Sequence, residues 1–243
     1  MTAARNVLLI AGRELRAMVG TMTGWVILAA YLTLAGLTFN VFALPGVRRS
    51  GEVLSTFFFY TSGLTAAAAI LISMRLLAEE RQAQTLPLLY ASPVDDVEIV
   101  LGKFLAALAF LWSMALLTVY MPLLVLVHGK VSVGHLVAGY LGMFLVGSVS
   151  LALGTFASAL ARSQVVSAIL GASLLVALVI TWNLARVSEP PFAGFFAALA
   201  LYNLHFAPFQ AGVVHLRDVA YYLLVTWVLL FAATRVVEAR RWR

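Results

Sequence analysis

Cysteine is absent from this chain of 243 residues, and charge is scarce: Asp, Glu, Lys and Arg together make up 11%. Without a thiol there is no disulfide, no cysteine nucleophile and no thiolate metal site. An ordinary soluble domain carries about a quarter charged residues. Here 63% of residues are hydrophobic and the mean hydropathy is +1.00. Apolar surface on that scale cannot be hidden in one water-soluble core, so the solvent must be lipid. The formal net charge of +6 does not indicate nucleic acid, because the basic residues are scattered at the ends of apolar runs with no aromatic-interleaved patch.

Recognisable chemistry is equally scarce. Val97–Phe104 reads VEIVLGKF, whose Gly-Lys superficially matches a phosphate-binding loop, but the first glycine is missing and Phe104 replaces the Ser or Thr that would meet magnesium. Glu79 and Glu80 are adjacent, so on a helix they diverge by about 100° and do not face one substrate. His128, His135, His205 and His215 show no i, i+3 or i+4 pair and no carboxylate cluster, and are read as interfacial or loop histidines. No nucleophile elbow or Ser-Lys arrangement appears. No catalytic, cofactor-binding or metal residue is assigned, and the chain is read as non-enzymatic. The apolar runs also lack internal charge, which argues against coupling to an ion gradient. No inverted repeat and no pair of broken helices of the carrier type is evident.

What is present is a series of uncharged runs at 17–47, 53–74, 104–127, 136–161, 163–185 and 219–234. At about 20 residues per crossing, the first five each suffice to span a bilayer. The sixth is short, but Val236 and Val237 extend it and Arg235 can snorkel. The expected fold is an all-α integral membrane protein with six transmembrane helices in a single domain over 1–243. Residues 1–20 place Leu8, Ala11, Leu15, Met18 and Val19 on one helical face with charges opposite, which reads as an interfacial helix. A cleaved signal peptide is disfavoured, because the following run far exceeds an h-region of roughly 7–15 residues. Residues 190–204 open with Pro190-Pro191 and are followed by Pro208. They read as short helices at the outer face, with an apolar loop packed on the bundle as the alternative.

Lys and Arg counts set the orientation. With the N-terminus in the cytoplasm, inside segments hold Arg5, Arg13, Arg16, Arg75, Arg81, Lys103, Arg162, Arg235, Arg240, Arg241 and Arg243, eleven of the sixteen basic residues. Both termini and residues 75–103 then lie inside, and residues 186–217 lie outside. Small residues at Ser150, Gly154 and Ser158, and again at Ser167 and Gly171, permit close helix approach in lipid, within this chain or with another subunit.

Residues 75–103, RLLAEERQAQTLPLLYASPVDDVEIVLGK, are the long polar interruption and hold five of the ten acidic residues. Glu79-Glu80-Arg81 is followed by Thr85-Leu86 and Leu88-Leu89; Ser92-Pro93 breaks the helix, and Asp95-Asp96 can cap the next one. That pattern predicts a short helix across the cytoplasmic face with leucines turned into a groove or the bilayer.

At these residues the chain resembles the permease subunits of ABC type 2 transporters. Their first cytoplasmic loop reads Glu-Glu/Lys-x-x-Gly-Thr-Leu/Ile-x-x-Leu-Leu-x-x-Pro-Val, then an acidic spot and Leu-Gly-Lys entering the third span. The counterparts here are Glu79-Glu80-Arg81, Thr85-Leu86, Leu88-Leu89, Pro93-Val94, Asp95-Asp96 and Leu101-Gly102-Lys103, with departures at Gln84, where the family has glycine, and at Pro87. Ser73-Met74-Arg75-Leu76 is similar to the run preceding this loop in the gliding-motility-associated branch. The resemblance implies a bacterial inner-membrane exporter of two permeases, a homodimer or two paralogues, and two ATPase subunits that bind the ATP and magnesium. Glu79, Glu80, Arg81, Thr85, Leu86, Leu88, Leu89 and Pro93 would dock the ATPase. A lipidic or amphipathic substrate suits uncharged spans. The rival reading is a membrane anchor or scaffold for an envelope or motility complex that moves nothing.

Overall fold

A computed structural model of the chain describes residues 3–45, 49–84, 94–129, 132–189 and 192–241. The described residues form helices and no strand. In chain order these are α1 (Ala3–Gly20), α2 (Met22–Thr38, continued by a π-helical turn over Phe39–Ala43), α3 (Ser50–Ser73), α4 (Ala78–Gln82), α5 (Asp96–Leu117) and α6 (Tyr120–His128). They are followed by α7 (Val133–Leu160), α8 (Gln164–Val187), α9 (Phe192–Leu199), α10 (Ala207–Gln210) and α11 (Leu216–Arg241). Six stretches are long and apolar enough to cross a membrane: 22–43, 50–82, 96–127, 133–160, 164–187 and 216–240.

Helix ends follow local chemistry. Asp95 is the N-cap of α5 in a capping box with Glu98, whose Oε2 accepts the Asp95 N–H at 3.3 Å. Ser132 and Ser163 cap α7 and α8, their hydroxyls accepting the N–H of His135 and Val166. The third span breaks between α5 and α6 at Thr118-Val119. Pro122 has no N–H for the Thr118 carbonyl four residues back, and its ring crowds that carbonyl.

Helix α7 is the centre of the bundle, with 78% of its most apolar window buried against 17% for α8. Small residues let neighbours approach it. A Cβ at Gly139 would collide with the Phe58 ring, one at Gly154 would collide with Ser73 Oγ, and one at Gly147 would lie 3.1 Å from Thr65. Around this axis one aromatic core gathers Phe39, Phe57, Phe58, Tyr140, Phe206, Phe209 and Tyr222. A second core, of Tyr31, Phe104, Leu111, Met114 and Leu151, fills the other half.

One expectation changes in part. The face that α1 turns to the protein carries Ala11, Leu15 and Met18 as expected, together with Asn6, Val7, Ile10 and Glu14, while Leu8 is 68% exposed and Val19 46% exposed. A hydrophobic wheel alone puts Glu14 on the outside; its partner on α5 turns it inward. The last helix runs past its uncharged run of 219–234 to Arg241, as the extension through Val236 and Val237 anticipated: Arg235 is exposed and Arg240 reaches the end of α7.

Candidate functional site

One end of the bundle collects α1, α4, the start of α5 and the last turns of α7 and α11. At its centre is Lys103, whose side chain is 3% exposed. Its ammonium donates to Glu80 Oε1 of α4 at 2.7 Å and to Glu14 Oε1 of α1 at 3.1 Å. Arg13 donates to the same Glu14 oxygen at 2.8 Å. Burial pushes the Glu14 carboxyl up, but Lys103 and Arg13 together outweigh it and hold that carboxyl below the ordinary carboxylate range. A buried cation is tolerated only when paired in this way. The residue before it completes the arrangement. A Cβ at Gly102 would lie 2.8 Å from Ile10 Cβ and 3.1 Å from the Val7 carbonyl oxygen, so glycine lets α1 lie directly on α5. Asn6 adds a hydrogen bond to Glu98 at 3.0 Å.

Helix α4 is fastened on its other side to α7. Ser158 Oγ accepts the N–H groups of Leu77 (3.1 Å) and Ala78 (3.0 Å), and Arg81 donates to the Ala161 and Ala159 carbonyls. Arg240 of α11 donates to the neighbouring Leu160 carbonyl at 2.8 Å. Two guanidinium groups thus satisfy the open carbonyls at the end of α7 and complement its dipole. A cavity of about 240 Å³ lies beside Lys103, with Glu14, Glu79 and Glu80 at its polar side and Met18, Ile27 and Phe110 at its apolar side. After α4 the backbone reaches φ +55° at Gln84, the left-handed region that favours glycine. That is the position where the resembled loop pattern carries glycine.

Of the residues proposed from sequence to meet an ATPase, Glu79 is bound by Arg75 in a two-point pair (2.8 and 2.9 Å) and is 43% exposed. Glu80 turns inward to Lys103, and Arg81 grips α7. Thr85, Leu86, Leu88, Leu89 and Pro93, and with them the Ser92-Pro93 break, lie outside the described residues. Ser150 bonds back to the Val146 carbonyl at 2.8 Å within α7, whereas Gly154 and Ser158 face α3 and the start of α4. A Cβ at Gly171 would lie 3.3 Å from Ile70 of α3, and Ser167 is buried. Neither Glu14 nor the role of Gly102-Lys103 was found by sequence reasoning. One available signal was that Glu14 is the single acidic residue among the first 51.

The opposite end holds a second buried polar pair. His205 Nδ1 lies 2.8 Å from Asp218 Oδ1, and both ring nitrogens face oxygens, the other being the Ala198 carbonyl at 3.4 Å. The imidazole stacks on Tyr221 at 3.8 Å between centroids. His205 lies in the turn after α9, in keeping with a loop histidine, but it is only 3% exposed, because that turn folds it under α11. His135 Nε2 donates to the Gln210 carbonyl at 2.7 Å. Among the described residues no cluster of His, Asp and Glu has the makings of a metal site.

Six apolar helices around a small-residue axis define a multi-pass helical membrane protein. Residues 8–197 match the family described as ABC-2 family transporter protein, and the chain belongs to that family, the membrane permeases of ABC transporters. A search of curated proteins finds no match to this sequence.

Proposed function

We propose that this chain is the non-catalytic permease subunit of an ATP-binding-cassette exporter in a bacterial inner membrane, and that α4 with the residues after it forms the coupling element met by the ATPase. The observation that carries this reading is the fastening of α4. Through Glu80, Arg81 and the Leu77 and Ala78 amides, one short helix is joined to α5 and α7. Force applied there reaches two membrane-crossing helices directly. ATP and magnesium belong to the partner chain, and ATP-driven closure of the ATPase pair biases the permease between two arrangements.

Under this reading both termini and α4 face the cytoplasm, as the eleven-to-five distribution of basic residues favours. Helix α1 lies at the membrane surface with Leu8, Leu9 and the Arg5 and Arg16 side chains outward. Helices α9 and α10 sit at the far face. Lipid and a second permease, a copy or a paralogue, cover the apolar outer faces of α2 and α8. The substrate is lipidic or amphipathic, in keeping with uncharged spans. The Ser73-Met74-Arg75-Leu76 run favours the gliding-motility-associated branch.

Because Glu80 is engaged inside the chain, the docking test belongs on the leucines. Leu88→Asp and Leu89→Asp variants are expected to insert normally and to lose co-purification with the ATPase from native membranes. An undiminished complex would sink the docking assignment.

A further inference from the structure

We propose that Lys103 is a shared cation for which α4 and α1 compete, so that it acts as a positioning residue coupling the two helices in opposite senses. Lys103 meets one carboxylate from each: Glu80 at 2.7 Å and Glu14 at 3.1 Å. Two like charges held near a single ammonium repel each other, and at low local dielectric that repulsion is strong. Drawing Glu80 away removes the repulsion and leaves the ammonium to Glu14. Pressing Glu80 in does the reverse. A lysine suits this role because its point charge rides on a flexible four-carbon stem, whereas a guanidinium would fix one planar geometry. The 240 Å³ cavity that both carboxylates line gives the head group room to swing. Arg13 steadies Glu14 from the exposed side and also attracts Glu80 through space, and Arg75 occupies Glu79, while Lys103 is a buried cation in direct contact with a carboxylate of each helix. Gly102 keeps the backbones of α1 and α5 close enough for the short Glu14 side chain to take part.

The consequence for the transporter is that movement of α4 changes how firmly α1 is seated. That consequence rests on α4 being the element the ATPase meets; the competition itself does not. The test therefore leaves the ATPase out. The full chain in lipid nanodiscs is followed by hydrogen–deuterium exchange as wild type, Glu80→Gln, Glu14→Gln and Lys103→Arg. Competition predicts that Glu80→Gln slows exchange across α1 and that Glu14→Gln slows exchange across α4, since a coupling between two sites is reciprocal. A purely structural cluster predicts faster exchange in both helices in both variants, and that result, or no change, overturns the inference. Glu80→Asp, which keeps the charge but withdraws it, should slow α1 in the same direction and serves if Glu80→Gln does not fold. Lys103→Arg retains the charge and should weaken the opposite responses; responses equal to those of lysine would show that a mobile point charge is not required and would overturn the shared-cation account. Failure of the leucine variants to release the ATPase would remove the docking reading and leave these outcomes unaffected.

Discussion

The two ends of the bundle each bury a carboxylate with a nitrogen partner, and they do so differently. At one end Lys103 joins three helices whose residues are 23 to 89 apart in sequence, beside a cavity. At the other, His205 and Asp218 are 13 residues apart, sealed beneath Tyr221 and served by nearby carbonyls. The first is an assembly of elements that arrive separately; the second is a local clasp between the turn after α9 and the start of α11. A local clasp fixes one conformation. A node shared among separate helices can register their relative movement, and this is the end proposed to carry the coupling segment.

The sharpest way to break that contrast is to remove one partner at each end and compare thermal unfolding in detergent. Lys103→Met leaves two carboxylates facing each other and should cost about 3–5 kcal/mol. His205→Ala leaves one carboxylate and removes a stacked ring, for about 2–3 kcal/mol. Equal losses would mean that the node is no more than another clasp. Next in size, Gly102→Ala forces α1 off α5 at Ile10, with an expected loss of about 1–3 kcal/mol and faster exchange in α1 but unchanged exchange around His205. The acid side of the pH profile tests the Lys103 end. The native Glu14 carboxyl holds its proton less tightly than in the unfolded chain. Its contribution is therefore complete above the ordinary carboxylate range and fades as pH falls through the lowered native value. The seating of α1 should weaken in that acidic window, and Glu14→Gln should remove the dependence. Smallest is Gln84→Gly, which relieves a left-handed backbone and should gain about 0.5–1 kcal/mol locally, read as slower exchange in α4. A loss there would place the strain elsewhere.

The membrane helices were legible in the sequence because lipid leaves a one-dimensional record: an uncharged run of sufficient length can satisfy its backbone and hide its side chains most simply as a helix across a bilayer. Even so, the record is blurred at its edges. Arg235 ends the uncharged run at 234, yet α11 continues to Arg241, so charge did not mark the helix end. The third span's division at Thr118 depended on Pro122, a local signal present in the sequence. The node was not legible. Gly102-Lys103 invited comparison with a phosphate loop because its neighbours in sequence offer no partner, and its true partners are on α1 and α4. Glu14 was placed on the outward face by periodicity, since hydrophobic patterning counts a buried, paired acid as solvent-facing. His205 does lie in a turn, as its polarity suggested, but its burial was not legible, because the aspartate that partners it lies on α11, beyond α10. Gln84 is the intermediate case, where an unusual residue at a glycine position flagged a backbone conformation without showing it.

The distance along the chain between Glu14 and Lys103 also sets an order of events during synthesis. Lys103 is made 89 residues after Glu14, by which time the first two membrane helices have already been translated. Until then α1 has only its own Arg13 as an ionic partner and no α5 to lie on. Helix α1 is thus translated well before the residues that seat it, and its packing on α5 can form only once Gly102 and Lys103 have been made.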